Sequence, residues 1–212
     1  MQPIERRNLI RGGLLVAGAF ATGALPAIAR DNPMPEDLRK ALEHAPNTPV
    51  LGNAKGDITL TEFFDYNCPY CRTSVKDVHA LIAQDKTLRV VFHEWPVFGE
   101  GSVFSSKASL AALKQGKYWQ FHTALMAIDG KADQASATAV AKQVGLDMER
   151  LLADMESSEV LSHIDQSMLL ADHMGLTGTP TFIAGDEGLF GKQSLSQLRG
   201  LVSRGRATLA ES

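Results

Sequence analysis

Leu60-Thr61-Glu62-Phe63-Phe64-Asp65-Tyr66-Asn67-Cys68-Pro69-Tyr70-Cys71 runs from a strand-like segment into a Cys-x-x-Cys, and it holds the only two cysteines of the 212-residue chain. Alternation predicts a buried strand over 58–65, with Ile58, Leu60, Glu62 and Phe64 on one face. A helix follows from Cys68 to about Ala83, with Val75, Val78, His79 and Ile82 at core spacing. One helical turn brings two sulfurs close enough to bond. The first cysteine then faces the orphan N–H groups and positive dipole end of the helix, which favour its thiolate. Pro69 suits the first helical position, where no N–H is needed. Cys68 is thus the expected attacking thiol, and Cys71, one turn deeper, the resolving one. A purely structural disulfide here would close a ring of four residues and constrain little of the unfolded chain. A zinc site needs three or four ligands, and His79 has no companion at matching spacing.

The N-terminus reads as an export signal over 1–29. Arg6, Arg7 and Arg11 precede an uncharged apolar stretch from Gly12 to Leu25, and Ala27-Ile28-Ala29 offers a small-x-small cleavage pattern. The apolar stretch is shorter than the roughly 20 residues of a membrane span. Arg6-Arg7 leaves the twin-arginine and general secretory routes both open. Removing this segment leaves 183 residues and moves the net charge from −3 to −5, because it carries three arginines and one glutamate. No basic block points to nucleic acid or a lipid surface. The expected location is the periplasm, where a thiol pair persists as a working couple only if it is redox-active.

Residues 30–57 read as a short leader, with a small helix from Pro35 to about Ala45 and a short extended piece at Val50. A second strand is predicted over Leu88–Trp95. From about Ser102 to Met174 the periodicity is helical throughout, punctuated by Gly116, Gly145 and Gly175. Extended structure resumes at Thr181–Ala184 and around Gly188–Phe190, and a last helix is predicted near Ser194–Ser203. Gly178-Thr179-Pro180-Thr181-Phe182 is the second informative string. If its turn meets the Cys68 end of the helix, the Thr179 backbone can pair with an extended substrate segment.

The chain resembles the DsbA/ScsC-like family of exported thiol-disulfide oxidoreductases. The likeness rests on residues 62–71, on His-Glu-Trp-Pro-Val-Phe-Gly at 93–99, on Tyr-Trp-Gln-Phe-His-Thr-Ala-Leu-Met at 118–126 and on Gly-Leu-Thr-Gly-Thr-Pro-Thr-Phe at 175–182. It implies an α/β, thioredoxin-like fold with an all-helical insertion. The thioredoxin-like domain would span 58–96 and 178–206, and the insertion 97–177. It also implies that Cys68 and Cys71 form the redox disulfide, that Pro180 is a cis-proline, and that Thr179 and Pro180 bind substrate. Glu62 stands where the family buries an acid beneath the active-site helix. Between Leu60 and Phe64 such a carboxyl would be desolvated, its pKa raised, and could exchange a proton with Cys71.

The implied partners are exported proteins bearing thiols or disulfides and a membrane redox partner, with no nucleic acid, cofactor or metal. His93 reads as a satisfied core histidine, and Trp95 and Trp119 as core. Four prolines within 30–57 break any continuous oligomerisation helix, so a monomer of oxidase type is expected. Cys-Pro-Tyr-Cys and Thr179 resemble ScsC and isomerase branches, which keeps a disulfide isomerase or reductase as the alternative. A copper-handling thioredoxin fold and a noncatalytic chaperone are further rivals.

Overall fold

The computed structural model describes residues 33–211; the export segment read over 1–29 lies outside the described residues. Two parallel strands, β2 (Ile58–Phe64) and β3 (Leu88–Glu94), form the centre of a five-stranded sheet. With β1 (Val50–Gly52), β4 (Thr181–Ala184) and β5 (Glu187–Phe190) the order is β1-β3-β2-β4-β5, and the three outer pairings are antiparallel. A parallel pair needs a long crossover, supplied here by helix α2 (Pro69–Gln84).

Both central strands are buried along their whole length. Alternation along β2 sorts its side chains between two faces. Ile58, Leu60 and Phe64 enter the larger core with Val78 and Leu81 of α2 and with Leu198 and Leu201 of α8 (Leu195–Ala210). Phe63 enters a smaller cluster on the other face, where it meets Leu42 of α1 (Glu36–His44). The segment read as a leader therefore supplies a helix that covers the sheet. Leu42 is 1% exposed, and burying a leucine fully stabilises the fold by about 2 kcal/mol.

Between β3 and β4 the chain forms α3 (Glu100–Lys114), α4 (Tyr118–Met126), α5 (Gln134–Gln143), α6 (Met148–Met155) and α7 (Ser158–His173). Two of the glycines that punctuate the sequence end helices by one device. Gly116 and Gly145 take φ of 69° and 72°, a region open to glycine at no steric cost. The following N–H groups then reach back, Lys117 N to Ala112 O and Leu146 N to Ala141 O, both at 2.9 Å. The last helix runs past the predicted Ser203 to Ala210. Arg206 holds that final stretch through Asp57 and Asp85, and Leu209 packs against the main core.

Candidate active site

β2 stops at Phe64 because Asp65 turns the chain out of the sheet. Its carboxylate accepts from Asn67 N at 2.6 Å in an Asx turn, and Asp65 O accepts from Cys68 N at 3.1 Å. Cys68 is the N-cap of α2, its sulfur accepting from Cys71 N at 3.3 Å, with Pro69 as the first helical residue. The helix end therefore delivers its orphan donors and positive pole to the Cys68 sulfur, as its sequence position requires. Both cysteines are free thiols. Both are covered by neighbours, and Cys71 lies deeper.

The Thr179–Pro180 peptide is cis, and its turn meets Cys68 across 111 residues of sequence. The Cys68 thiol donates to Thr179 O at 3.3 Å. The Thr179 hydroxyl is buried in the same turn. Hydrogen bonds from the Cys71 thiol first, then from Thr179 and the Cys71 and Tyr70 backbone, outweigh desolvation and bring Cys68 down to about 6. Burial, with the Cys68 sulfur second, pushes Cys71 far above the ordinary thiol range. The two thiols thus have opposite characters, one a ready thiolate and one a held thiol.

Glu62 lies beneath the pair, 5% exposed. Burial, then the negative charge on Cys68, raises it to about 8, so at neutral pH it is a protonated acid. Around the mouth, Tyr70, Val97, Phe98 and Phe190 stand exposed as an apolar rim. Among the described residues no group of three or more histidines, cysteines or acids is placed to hold a metal ion.

The structure brings Cys68, Cys71, Glu62, Thr179 and Pro180 into one site. His93 lies elsewhere: it stacks on Phe63 at 4.7 Å and bonds Leu42 O and Ser167 Oγ, and burial lowers it to about 3. It is a neutral core residue. Two positioning residues escaped the sequence reading. Asp65 also accepts from Val97 N, Phe98 N and Ser102 Oγ, at 2.7, 3.1 and 2.7 Å, and so fastens the rim loop to the dithiol. Asn67 bonds Ser102 Oγ and both the N–H and C=O of Ala132. An Asp-x-Asn turn between strand and Cys-x-x-Cys is a signal for the local bonds, not for these distant ones. Also unforeseen is a buried polar cluster in which Tyr66 bonds Ser109 at 2.6 Å, Ser109 bonds Glu94, and His163 Nε2 lies 2.8 Å from Glu94 Oε2.

A family model described as a DSBA-like thioredoxin domain matches residues 59–203. The structure is similar to that of a thioredoxin-like oxidoreductase from Silicibacter pomeroyi DSS-3. That match has 50% identity and a TM-score of 0.78 over 80% of this chain and 98% of the other. It is also similar to the thiol-disulfide exchange protein alpha-DsbA2 from Wolbachia pipientis, at 26% identity and a TM-score of 0.74, over 79% and 91% of the two chains. Among curated sequences it is 30% identical over 182 residues to a Na(+)/H(+) antiporter NhaA from Herminiimonas arsenicoxydans, covering 80% of this chain and 29% of that protein. The chain spans about a quarter of the length of the curated relatives it matches first.

Proposed function

The chain belongs to the family of DSBA-like thioredoxin domains, and we propose that it is a thiol-disulfide oxidoreductase that oxidises exported proteins through Cys68 and Cys71. In the oxidative direction a client thiolate attacks Cys68 Sγ of the disulfide. A client–Cys68 bond forms, the Cys68–Cys71 bond breaks, and Cys71 leaves with the electron pair. The protonated Glu62 is the proton source for that buried sulfur, whose charge the site disfavours. The client's second thiolate then attacks its own sulfur in the mixed disulfide and expels Cys68 as thiolate. The client is oxidised and the dithiol reduced by the same two electrons. Thr179 and Pro180 are the proposed contacts of the client backbone beside the sulfurs.

The observation that carries this reading is the free dithiol at the head of α2, set against the Thr179–Pro180 turn. It also supports the oxidase direction: stabilising Cys68 as a leaving thiolate makes the disulfide more oxidising. The proposed location is the periplasm, on the N-terminal sequence pattern, with a membrane redox partner to reoxidise the pair. Among the described residues no helix is long and apolar enough to cross a membrane. The packing of α1 on the sheet supports a monomer, since that helix is occupied within its own fold.

The test incubates the oxidised protein with a reduced, unfolded disulfide protein and follows recovery of client activity. Recovery that Cys68→Ser abolishes supports the assignment. Refolding of a scrambled-disulfide client faster than oxidation of a reduced one would move the reading to an isomerase. No exchange, with stoichiometric Cu(I) binding instead, would move it to metal handling.

A further inference from the structure

Arg72, one turn beyond Cys68 on α2, begins a groove of about 540 Å³ between α2 and α4. Its apolar surface comes from Val75, Trp119 and Met126, with His79 stacked on the Trp119 indole at 5.8 Å. Its charges are all of one sign. Arg72, Lys76 and Lys192 line it and no carboxylate does. Arg72 is held by the carbonyls of Tyr66, Ile128 and Gly130, so its charge is fixed in place without a neutralising acid. Lys76 and Lys192 are exposed and enter no ion pair among the described residues. Three uncompensated cations around an aromatic floor stand out on a chain with 24 acids against 21 lysines and arginines.

We propose that this groove is a second client-binding site, which takes an extended acidic segment carrying an aromatic or aliphatic side chain. The proposal rests on the thiol-disulfide reading, and the helix geometry sets its reach. Arg72 is about 6 Å along the axis from Cys68, at about 1.5 Å per residue, and His79 about 10 Å further. Extended chain covers about 3.3 Å per residue. A client cysteine at Cys68 therefore places residues about two to five positions away over the groove. There carboxylates meet the lysines and an apolar side chain meets Trp119. Such complementarity acts on recognition and encounter rather than on the sulfur chemistry.

The test has a binding arm and a kinetic arm. Cysteine-free peptides with acidic-aromatic, basic-aromatic or uncharged small-residue sequences are titrated against the protein, with peptide fluorescence anisotropy as readout. Matching dithiol peptides serve as substrates, and dithiothreitol as a probe of the chemistry alone. The acidic-aromatic peptide is expected to bind roughly tenfold tighter than the basic one at low salt, two exposed pairs being gained or opposed, and to lose that advantage at high salt. The double charge reversal K76E/K192E should invert the preference through KM and leave the dithiothreitol rate unchanged. Trp119→Ala should weaken acidic and basic aromatic peptides alike. Equal binding of acidic and basic peptides, or a preference that survives K76E/K192E, overturns the groove assignment. An inert dithiol towards dithiothreitol overturns the thiol-disulfide reading instead, while the binding arm still decides whether the groove takes acidic chains.

Discussion

Replacing Glu62 by glutamine removes a titrating carboxyl from beneath the dithiol while keeping its shape. The wild-type group sits near 8 in the folded reduced protein against an ordinary 4.5. Between those values the folded state binds the extra proton, so its stability falls as pH rises. At about 1.4 kcal/mol per pH unit, the carboxyl costs roughly 3 kcal/mol at pH 7, and roughly 5 kcal/mol once the pH has passed 8. Glutamine escapes that cost and carries only a small penalty for a buried amide. Urea unfolding of both reduced proteins at intervals from pH 5 to 8.5 should therefore show near-equal stability at pH 5 and a variant advantage that widens with pH. In the oxidised proteins the widening should be smaller, because the Cys68 charge that contributes to the shift is gone. Catalysis should move the other way, with slower formation of the client–Cys68 mixed disulfide in Glu62→Gln, whose side chain has no carboxyl proton to give the leaving Cys71 sulfur. Parallel stability curves across this pH range would refute the argument, since they would mean that Glu62 titrates alike in the folded and unfolded chain.

Ultraviolet titration of the Cys68 thiolate should give a midpoint near 6, so the reduced protein gains stability as pH rises from 6 towards the ordinary thiol value and loses it below 6; a midpoint at the ordinary value would contradict the hydrogen-bond account. Cys71→Ala should raise that midpoint, because the Cys71 thiol is its largest support, and an unchanged midpoint would remove that cause. His163→Ala leaves the fully buried Glu94 without the imidazole 2.8 Å away, a buried polar group stripped of its partner at a cost of about 2 kcal/mol; adding Glu94→Gln should recover part of that loss, and strict additivity would mean the two do not interact. Asp65→Ala should release the Val97–Phe98 rim from its two backbone bonds, destabilising the fold by about 2 kcal/mol and weakening client binding with the Cys68 midpoint unmoved; faster hydrogen exchange at Val97 and Phe98 checks the cause.

Much of the site was legible because its signals are local. A strand ending in an Asp-x-Asn turn, a cysteine at a helix cap, a proline at the first helical position and a second cysteine one turn on all lie within ten residues. Glycines after helical runs likewise mark helix ends without reference to the rest of the chain. The Thr179–Pro180 turn was legible as a turn, and its place beside Cys68 came only from the family resemblance. The end of α8 was not legible, since Arg206 and Leu209 are held by partners on other elements.

Short windows of sequence carry the order of elements, the place of Cys68 and Cys71 at a helix N-terminus and the burial of Glu62, because periodicity and helix-end electrostatics act over a few residues. Tertiary structure alone decided which distant groups meet. Asp65 reaches the 97–98 loop, Glu94 finds His163 across 69 positions, α1 closes over Phe63, and Arg72, Trp119 and Lys192 come to line one groove. These meetings depend on how strands register and on how helices rotate against the sheet. Packing over the whole chain sets both, and no short window of sequence records it.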